Sequence, residues 1–227
     1  MDIPKIFVIS PKEMATRRES TERHLTSLGL NPTFFSGLYG NDVKIQSGHN
    51  DPNRPFAHYR NMSSGMLCCS LNHWFMWQHV VLAGLPSAII FEDDVCLPDD
   101  FLDFFNGMMT RTPNDWEMIY MSLLYPIRMF QGKIGADQVG EGVYRFRGML
   151  AWDGACDGLY AYVISQSAAK KFTDLRLTLD ESMDRWISAH GLPLVNTYIW
   201  HPSEIMQHSE RTGKQGFAPP GFETTVH

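Results

Sequence analysis

The chain has 227 residues and a formal net charge of −6, with 44% hydrophobic and 19% charged residues, a balance that suits a globular α/β protein and excludes a disordered one. The acidic charge disfavours a nonspecific grip on nucleic acid. Cys68, Cys69, Cys96 and Cys156 include no C-x-x-C pair, which points to reduced buried thiols rather than a disulfide framework or a zinc site.

Lys5 to Ser10 is apolar and β-branched and reads as a first strand, ended by Pro11. Met14 to Leu28 reads as a helix with Glu13–Arg17 and Glu19–Arg23 pairs on its polar face and Gly29 as its C-terminal cap. Pro32 to Ser36 is a second strand, which completes a strand–helix–strand unit. Residues 41–61 are polar and rich in Gly, Asn and Pro, and read as a long loop. Met62 to Ala83 carries Met66, Cys69, His73, Met76, Val80 and Ala83 at helical spacing and ends at Gly84. A strand at 87–91 follows, then a short helix Phe101 to Met109 with Asp99 or Asp100 as N-cap.

Further strands are expected at Trp116 to Met121, Val143 to Phe146, Leu159 to Ile164 and Leu194 to Trp200. Helices are expected at Gln166 to Phe172, capped by Ser165, and at Leu179 to His190. From about residue 203 the chain reads as a tail. No repeat or composition shift divides it, so residues 1–227 are expected to form a single domain. The alternation of strands and helices predicts an α/β fold with a mostly parallel central sheet. The longest apolar run, Val80 to Phe91, is interrupted by Gly84, Pro86 and Ser87 and is too short to span a bilayer. The N-terminus shows no signal peptide. These features predict a cytoplasmic protein, with at most a peripheral place on the inner face of a membrane.

The most informative stretch is Ser87-Ala88-Ile89-Ile90-Phe91-Glu92-Asp93-Asp94-Val95. A buried strand runs directly into three adjacent carboxylates. Three acids at the end of such a strand repel one another and lose hydration. A divalent cation relieves both costs, because hard ions take carboxylate oxygens. In open α/β sheets, ligands bind at the carboxyl ends of the strands. The competing reading is a solvated acidic turn.

Four segments, in order, resemble glycosyltransferase family 25, the group of bacterial lipooligosaccharide galactosyltransferases and collagen galactosyltransferases. The first is Phe7-Val8-Ile9-Ser10 followed by Arg17 and Arg18. The second is Gly65-Met66-Leu67-Cys68-Cys69-Ser70-Leu71-Asn72-His73, similar to the family's Gly-x-x-x-Cys-x-x-Ser-His helix, with Asn72 where the family usually has serine. The third is the acidic strand end, and the fourth is Tyr160 to Ser165 with Ala168 to Lys171 and then Leu179-Asp180-Glu181.

The resemblance implies a GT-A-like nucleotide-binding α/β/α sandwich and a transferase that moves a hexose, galactose or glucose, from a UDP-sugar to a hydroxyl acceptor with inversion. A surface glycan such as lipopolysaccharide is the acceptor it suggests. Such chemistry uses Mn²⁺ or Mg²⁺ to stabilise a diphosphate leaving group. Glu92-x-Asp94 resembles the acid-x-acid motif that holds the ion, with Asp94 as the direct ligand and Glu92 or Asp93 in support. The resemblance also suggests a late histidine as a further ligand, His208 or His201. Ser10, Arg17, Arg18, Glu92 and Asp93 are the expected nucleotide contacts, against the plainer reading of Arg17 and Arg18 as a solvated helix face.

An inverting reaction needs a base for the acceptor hydroxyl. Asp180 matches the family's late aspartate, with Asp184 and Glu181 as runners-up. Asp180 and Asp184, four apart, would share one face of the helix expected there. Asp153 and Asp157 are candidates for lining the acceptor pocket, and Trp152 for stacking on a sugar. His73 is read equally as a core histidine or a substrate contact. The rival readings are another Mg²⁺-dependent nucleotidyl-transfer enzyme, weakened by the lack of a P-loop-type glycine motif, and a non-catalytic cation-dependent carbohydrate- or nucleotide-binding protein.

Overall fold

The computed structural model describes residues 3–40, 62–121, 136–147, 158–177, 181–201 and 206–207. The loop expected at 41–61, most of the expected tail, and Asp153, Asp157, Trp152, Asp180 and His208 lie outside the described residues. Strand β1 (Lys5–Ile9) leads through a single 3₁₀ turn into α1 (Ala15–Ser27), and β2 (Thr33–Phe35) returns parallel to β1. α1 ends as expected at Gly29, whose φ of 75° a side chain would resist. There Leu30 N–H and Leu28 N–H both donate to the Leu25 carbonyl.

Helix α2 (Ser64–Leu82) starts at Ser63, whose hydroxyl accepts from Met66 N–H, a cap worth about 1 kcal/mol. It feeds β3 (Ser87–Glu92). The rest of the chain supplies β4 (Val95–Cys96), α3 (Phe101–Arg111), β5 (Met118–Tyr120), β6 (Ala136–Gly140), β7 (Val143–Phe146) and β8 (Ala161–Ser165). After these come α4 (Gln166–Asp174), α5 (Met183–Trp186), β9 (Thr197–Trp200) and β10 (Met206–Gln207).

Eight strands form one sheet in the order β2-β1-β3-β8-β5-β9-β7-β6. Six run the same way; β8 and β7 are reversed. The mostly parallel sheet expected from the sequence is therefore present, with two antiparallel insertions. Alternate residues face opposite layers. Phe7, Ile9, Ala88 and Ile90 join Trp77, Val80, Phe172 and Trp186 from α2, α4 and α5 on one side. Ile6, Val8, Ile89 and Phe91 join Leu25, Phe101 and Phe105 from α1 and α3 on the other. This is an α/β/α sandwich. Burial on both faces explains why β3 reads as an unbroken apolar run rather than an alternating one. Each large side chain so buried contributes about 1.5–3 kcal/mol.

Three expectations need correction. The helix expected from Leu179 begins only at Met183, with Ser182 at its N-cap, and passes into a π-helical turn at Ile187–Gly191. The strand expected from Leu194 starts at Thr197, because Pro193 sits in a 3₁₀ turn over Leu192–Leu194. The stretch after His201 is not all tail: β10 pairs antiparallel with β4, Met206 opposite Cys96 and Gln207 opposite Val95. Asp100 holds the N-cap position of α3 but makes no side-chain capping bond.

The segment after β2 lies against α2 through Asn72. Its side-chain oxygen accepts from Leu38 N–H at 2.7 Å, and its amide donates to the Leu38 carbonyl at 3.0 Å. Gly37 permits this approach, since a Cβ there would sit 2.1 Å from Asn72 Oδ1. Gly37→Ala is expected to destabilise the fold by about 1–3 kcal/mol. An unchanged urea midpoint would show that the clamp yields freely.

Candidate active site

The register Ile9 to Glu92 between β1 and β3 brings Ser10 and the triplet Glu92-Asp93-Asp94 to one carboxyl edge of the sheet. Asp93 and Asp94 form the turn between β3 and β4. Arg17, in the first turns of α1, is buried and reaches both: its Nη2 lies 2.6 Å from Asp93 Oδ1 and 3.1 Å from Asp94 Oδ2. Thr21, one helical turn on, donates its hydroxyl to the Asp93 carbonyl. α1 therefore locks the acidic turn, which rules out the solvated-face reading for Arg17. Arg18 points elsewhere, donating to Ser36 Oγ at 2.9 Å with its guanidinium over the Phe34 ring at the end of β2.

One guanidinium against three carboxylates leaves two formal negative charges when all are ionised. Burial pushes Asp94 up to about 7, against the pull of Arg17, with Glu92 and Asp93 adding repulsion. Burial also raises Asp93, opposed by Arg17 and by Ser10. Glu92 differs. Burial acts to raise it, but the hydrogen bond from His73 and the charge of Arg17 bring it below its ordinary value. Asp94 Oδ1 is buried and has no hydrogen-bond partner among the described residues. An orphaned carboxylate oxygen beside a second, ionised carboxylate is a hard donor set. Oxygen donors of this kind suit a hard divalent cation.

The helix α2 brings its N-terminal half to the same edge. His73 Nε2 lies 3.1 Å from Glu92 Oε1, and the Cys69 thiol lies 3.8 Å from the same oxygen. The spacing of four between Cys69 and His73 marks them in the sequence as neighbours on one helix face; the partner on β3 is visible only in the fold. Cys69 is exposed on the helix, yet loss of hydration around its sulfur raises the thiol, and the charges of Glu92, Asp184 and Asp94 add to it. Asp184 thus sits within electrostatic reach of the cluster. Its Oδ2 accepts from Gly158 N–H at 3.3 Å, just before β8. Trp186 beside it stacks on Trp77 of α2. Glu181 instead approaches His190 at 3.6 Å.

A family model described as glycosyltransferase family 25 (LPS biosynthesis protein) matches residues 3–187. The chain belongs to glycosyltransferase family 25. This family 25 chain is 26% identical over 235 residues to the bovine "probable inactive glycosyltransferase 25 family member 3", covering 93% of the chain and 36% of that protein. It is 25% identical to procollagen galactosyltransferase 1 of Danio rerio, covering 96% of the chain and 35% of that protein. The family 25 chain thus spans about a third of the length of the curated relatives it matches. Among solved structures it is similar to A197 from STIV, with 11% identity, a TM-score of 0.44 and coverage of 89% of this chain and 83% of that one.

Of the two late histidines, His201 is the one among the described residues. His201 directly follows β9, with β8 and β5 between that strand and β3, so the strand ends are roughly 14 Å apart at ordinary strand spacing. His201 also donates its N–H to the Gly142 carbonyl and rests against Tyr144. β10, in contrast, runs beside the residue that follows Asp94. No helix among the described residues is long and apolar enough to cross a membrane.

Proposed function

We infer that this chain is a single metal-assisted glycosyltransferase domain that moves a hexose from a UDP-sugar to a hydroxyl of a glycan or protein acceptor. The observation that carries the reading is the acidic turn at the end of β3, with Asp94 Oδ1 buried and without a partner among the described residues, beside the ionised Glu92. Galactose is the favoured sugar, because relatives of this chain bear the name procollagen galactosyltransferase. A bacterial surface glycan such as lipopolysaccharide is the favoured acceptor, following the family description. The place of action is the cytoplasm, at most peripheral to the inner face of a membrane.

Asp94 and Glu92 would hold Mn²⁺ or Mg²⁺. When bound, the ion neutralises the charge that develops on the departing diphosphate. His208 is the favoured further ligand. It is kept as the late histidine that the family pattern suggests, next in sequence after Gln207. Arg17 fixes the turn that presents the carboxylates, buried Ser10 lies beside Asp93, and Arg18, held at Ser36 by the neighbouring strand, is kept as a nucleotide contact on the family pattern alone. The base that takes the acceptor proton is a late carboxylate. Asp180 is favoured by its place in the family pattern and Asp184 by its reach to Cys69, whereas the His190 pairing disfavours Glu181.

Titration calorimetry with UDP and UDP-sugars, with and without Mn²⁺, tests the reading. Cation-dependent UDP binding is expected, and its absence rejects the proposal. With binding intact, Asp180→Asn and Asp184→Asn separate the base candidates. The true base is expected to lower transfer by about 10²–10⁴-fold while leaving UDP affinity nearly unchanged. If neither change slows transfer, the base lies elsewhere. UDP binding with no sugar hydrolysis or transfer would instead place the chain with the relatives named inactive.

A further inference from the structure

The buried face of α2 carries a hydrogen-bonded chain that the reading above leaves without a role. Trp77 Nε1, which can only donate, gives its proton to the Tyr162 hydroxyl oxygen at 2.9 Å. That hydroxyl lies 3.0 Å from His73 Nδ1, and His73 Nε2 lies 3.1 Å from Glu92 Oε1. Trp77, Tyr162 and His73 are all fully buried, so water does not complete their bonding.

Proton accounting then fixes the direction of the chain. The phenol has one proton, and its oxygen already accepts from Trp77. Among the described residues, the acceptor within reach of that proton is His73 Nδ1. A ring nitrogen that accepts carries no hydrogen, so the imidazole proton sits on Nε2 and is donated to Glu92. The Cys69 thiol adds a weaker donor to the same oxygen. Both donors therefore meet Oε1, which leaves Oε2 to the site.

We propose that His73 is a positioning residue, held in its Nε2–H tautomer by Tyr162 and Trp77, and that it fixes the orientation of the Glu92 carboxylate at the acidic turn. The inference rests on the transferase reading only for what Glu92 then holds. The tautomer and the carboxylate orientation stand without it. Cys69 Sγ, His73 Nε2 and Glu92 Oε1 also lie within 4.8 Å of one another, close enough for one metal ion. Proton accounting opposes that use. An ion on Nε2 moves the ring proton to Nδ1, so the Tyr162 hydroxyl would face an N–H and lose the acceptor it has now.

The test is a long-range ¹H–¹⁵N spectrum of histidine-labelled full chain at neutral pH without metal, with His73 assigned by its loss in His73→Gln. A neutral Nε2–H ring is expected, with the Nε2 proton far downfield and moving upfield in Glu92→Gln. An Nδ1–H ring, or two protonated nitrogens, overturns the proposal, and this wild-type result needs no variant to fold. Tyr162→Phe should produce a mixed tautomer and weaken Mn²⁺ binding, read by electron paramagnetic resonance, on the order of 10-fold. His73→Leu should weaken it similarly, and His73→Gln, which can still accept and donate, should recover most of it. A tautomer change with Mn²⁺ affinity held within twofold overturns the positioning role. A Co²⁺ complex with a thiolate charge-transfer band and a perturbed His73 Nε2 assigns the cluster to a soft metal instead. An expected His73 spectrum in a chain that binds no UDP would reject the transferase reading and leave the tautomer assignment standing.

Discussion

Replacing Arg17 with methionine is expected to lower the stability of the fold by about 3–5 kcal/mol near pH 7, the usual cost of removing one partner of a buried ion pair. Methionine keeps much of the apolar stem, so the loss reports on charge rather than on volume. The guanidinium touches Asp93 and Asp94 together and is buried with them. Without it, both carboxyls lose the interaction that opposes their burial and take up protons instead. A protonated carboxyl needs no counter-charge. The deficit of Arg17→Met should therefore shrink as the pH falls from 7 to 5. Urea unfolding of both proteins at the two pH values measures this, and an equal deficit at both would assign the role of Arg17 to packing.

Asp94→Asn is expected to separate stability from function. In the folded chain Asp94 titrates at about 7, against an ordinary 3.8. Between those values the folded state holds a proton that the unfolded state has released. This contribution to stability therefore falls as pH rises from about 4 to about 7, and is level above. One proton's linkage is about 1.4 kcal/mol per pH unit, so the span is at most about 4 kcal/mol. Asparagine keeps the shape without the charge. Without added cation, the variant should melt above the parent at pH 7.5, and the gap should close toward pH 4. The same change removes the orphaned oxygen that would hold the cation, so Mn²⁺-dependent UDP binding should fall by at least about 100-fold. Thermal melts across pH and calorimetry with UDP read the two effects. A gap that does not vary with pH denies Asp94 its retained proton, and undiminished UDP binding removes it from the ligand set.

The elements most legible in the sequence are those bounded by chemistry of their own. β3 is apolar on both faces and ends in acids, and α2 runs up to Gly84, whereas its start at the Ser63 cap differs from the Met62 expected. The reversal of β8 is not legible, because a strand buried on both faces carries the same pattern in either direction. The two-residue pairing of β4 with β10 is too short to leave a periodic trace. The site divides in the same way. The carboxylates announce themselves by adjacency, whereas the contacts of Arg17 and the link from His73 to Tyr162 join residues far apart in sequence. Asn72, a departure from the family pattern, proves to be a clamp on Leu38 rather than a contact of the acidic cluster.

The short ladder between β4 and β10 also bears on how the molecule is made. It joins one of the last described segments to the turn at the end of β3, a contact between residues far apart along the chain. Such contacts form late, after the entropy of closing a long loop has been overcome. During synthesis the sheet strands β1, β2 and β3 can pair long before β10 leaves the ribosome. Among the described segments near Asp94, β10 is therefore added last, and a partly made chain presents the acidic turn without that ladder.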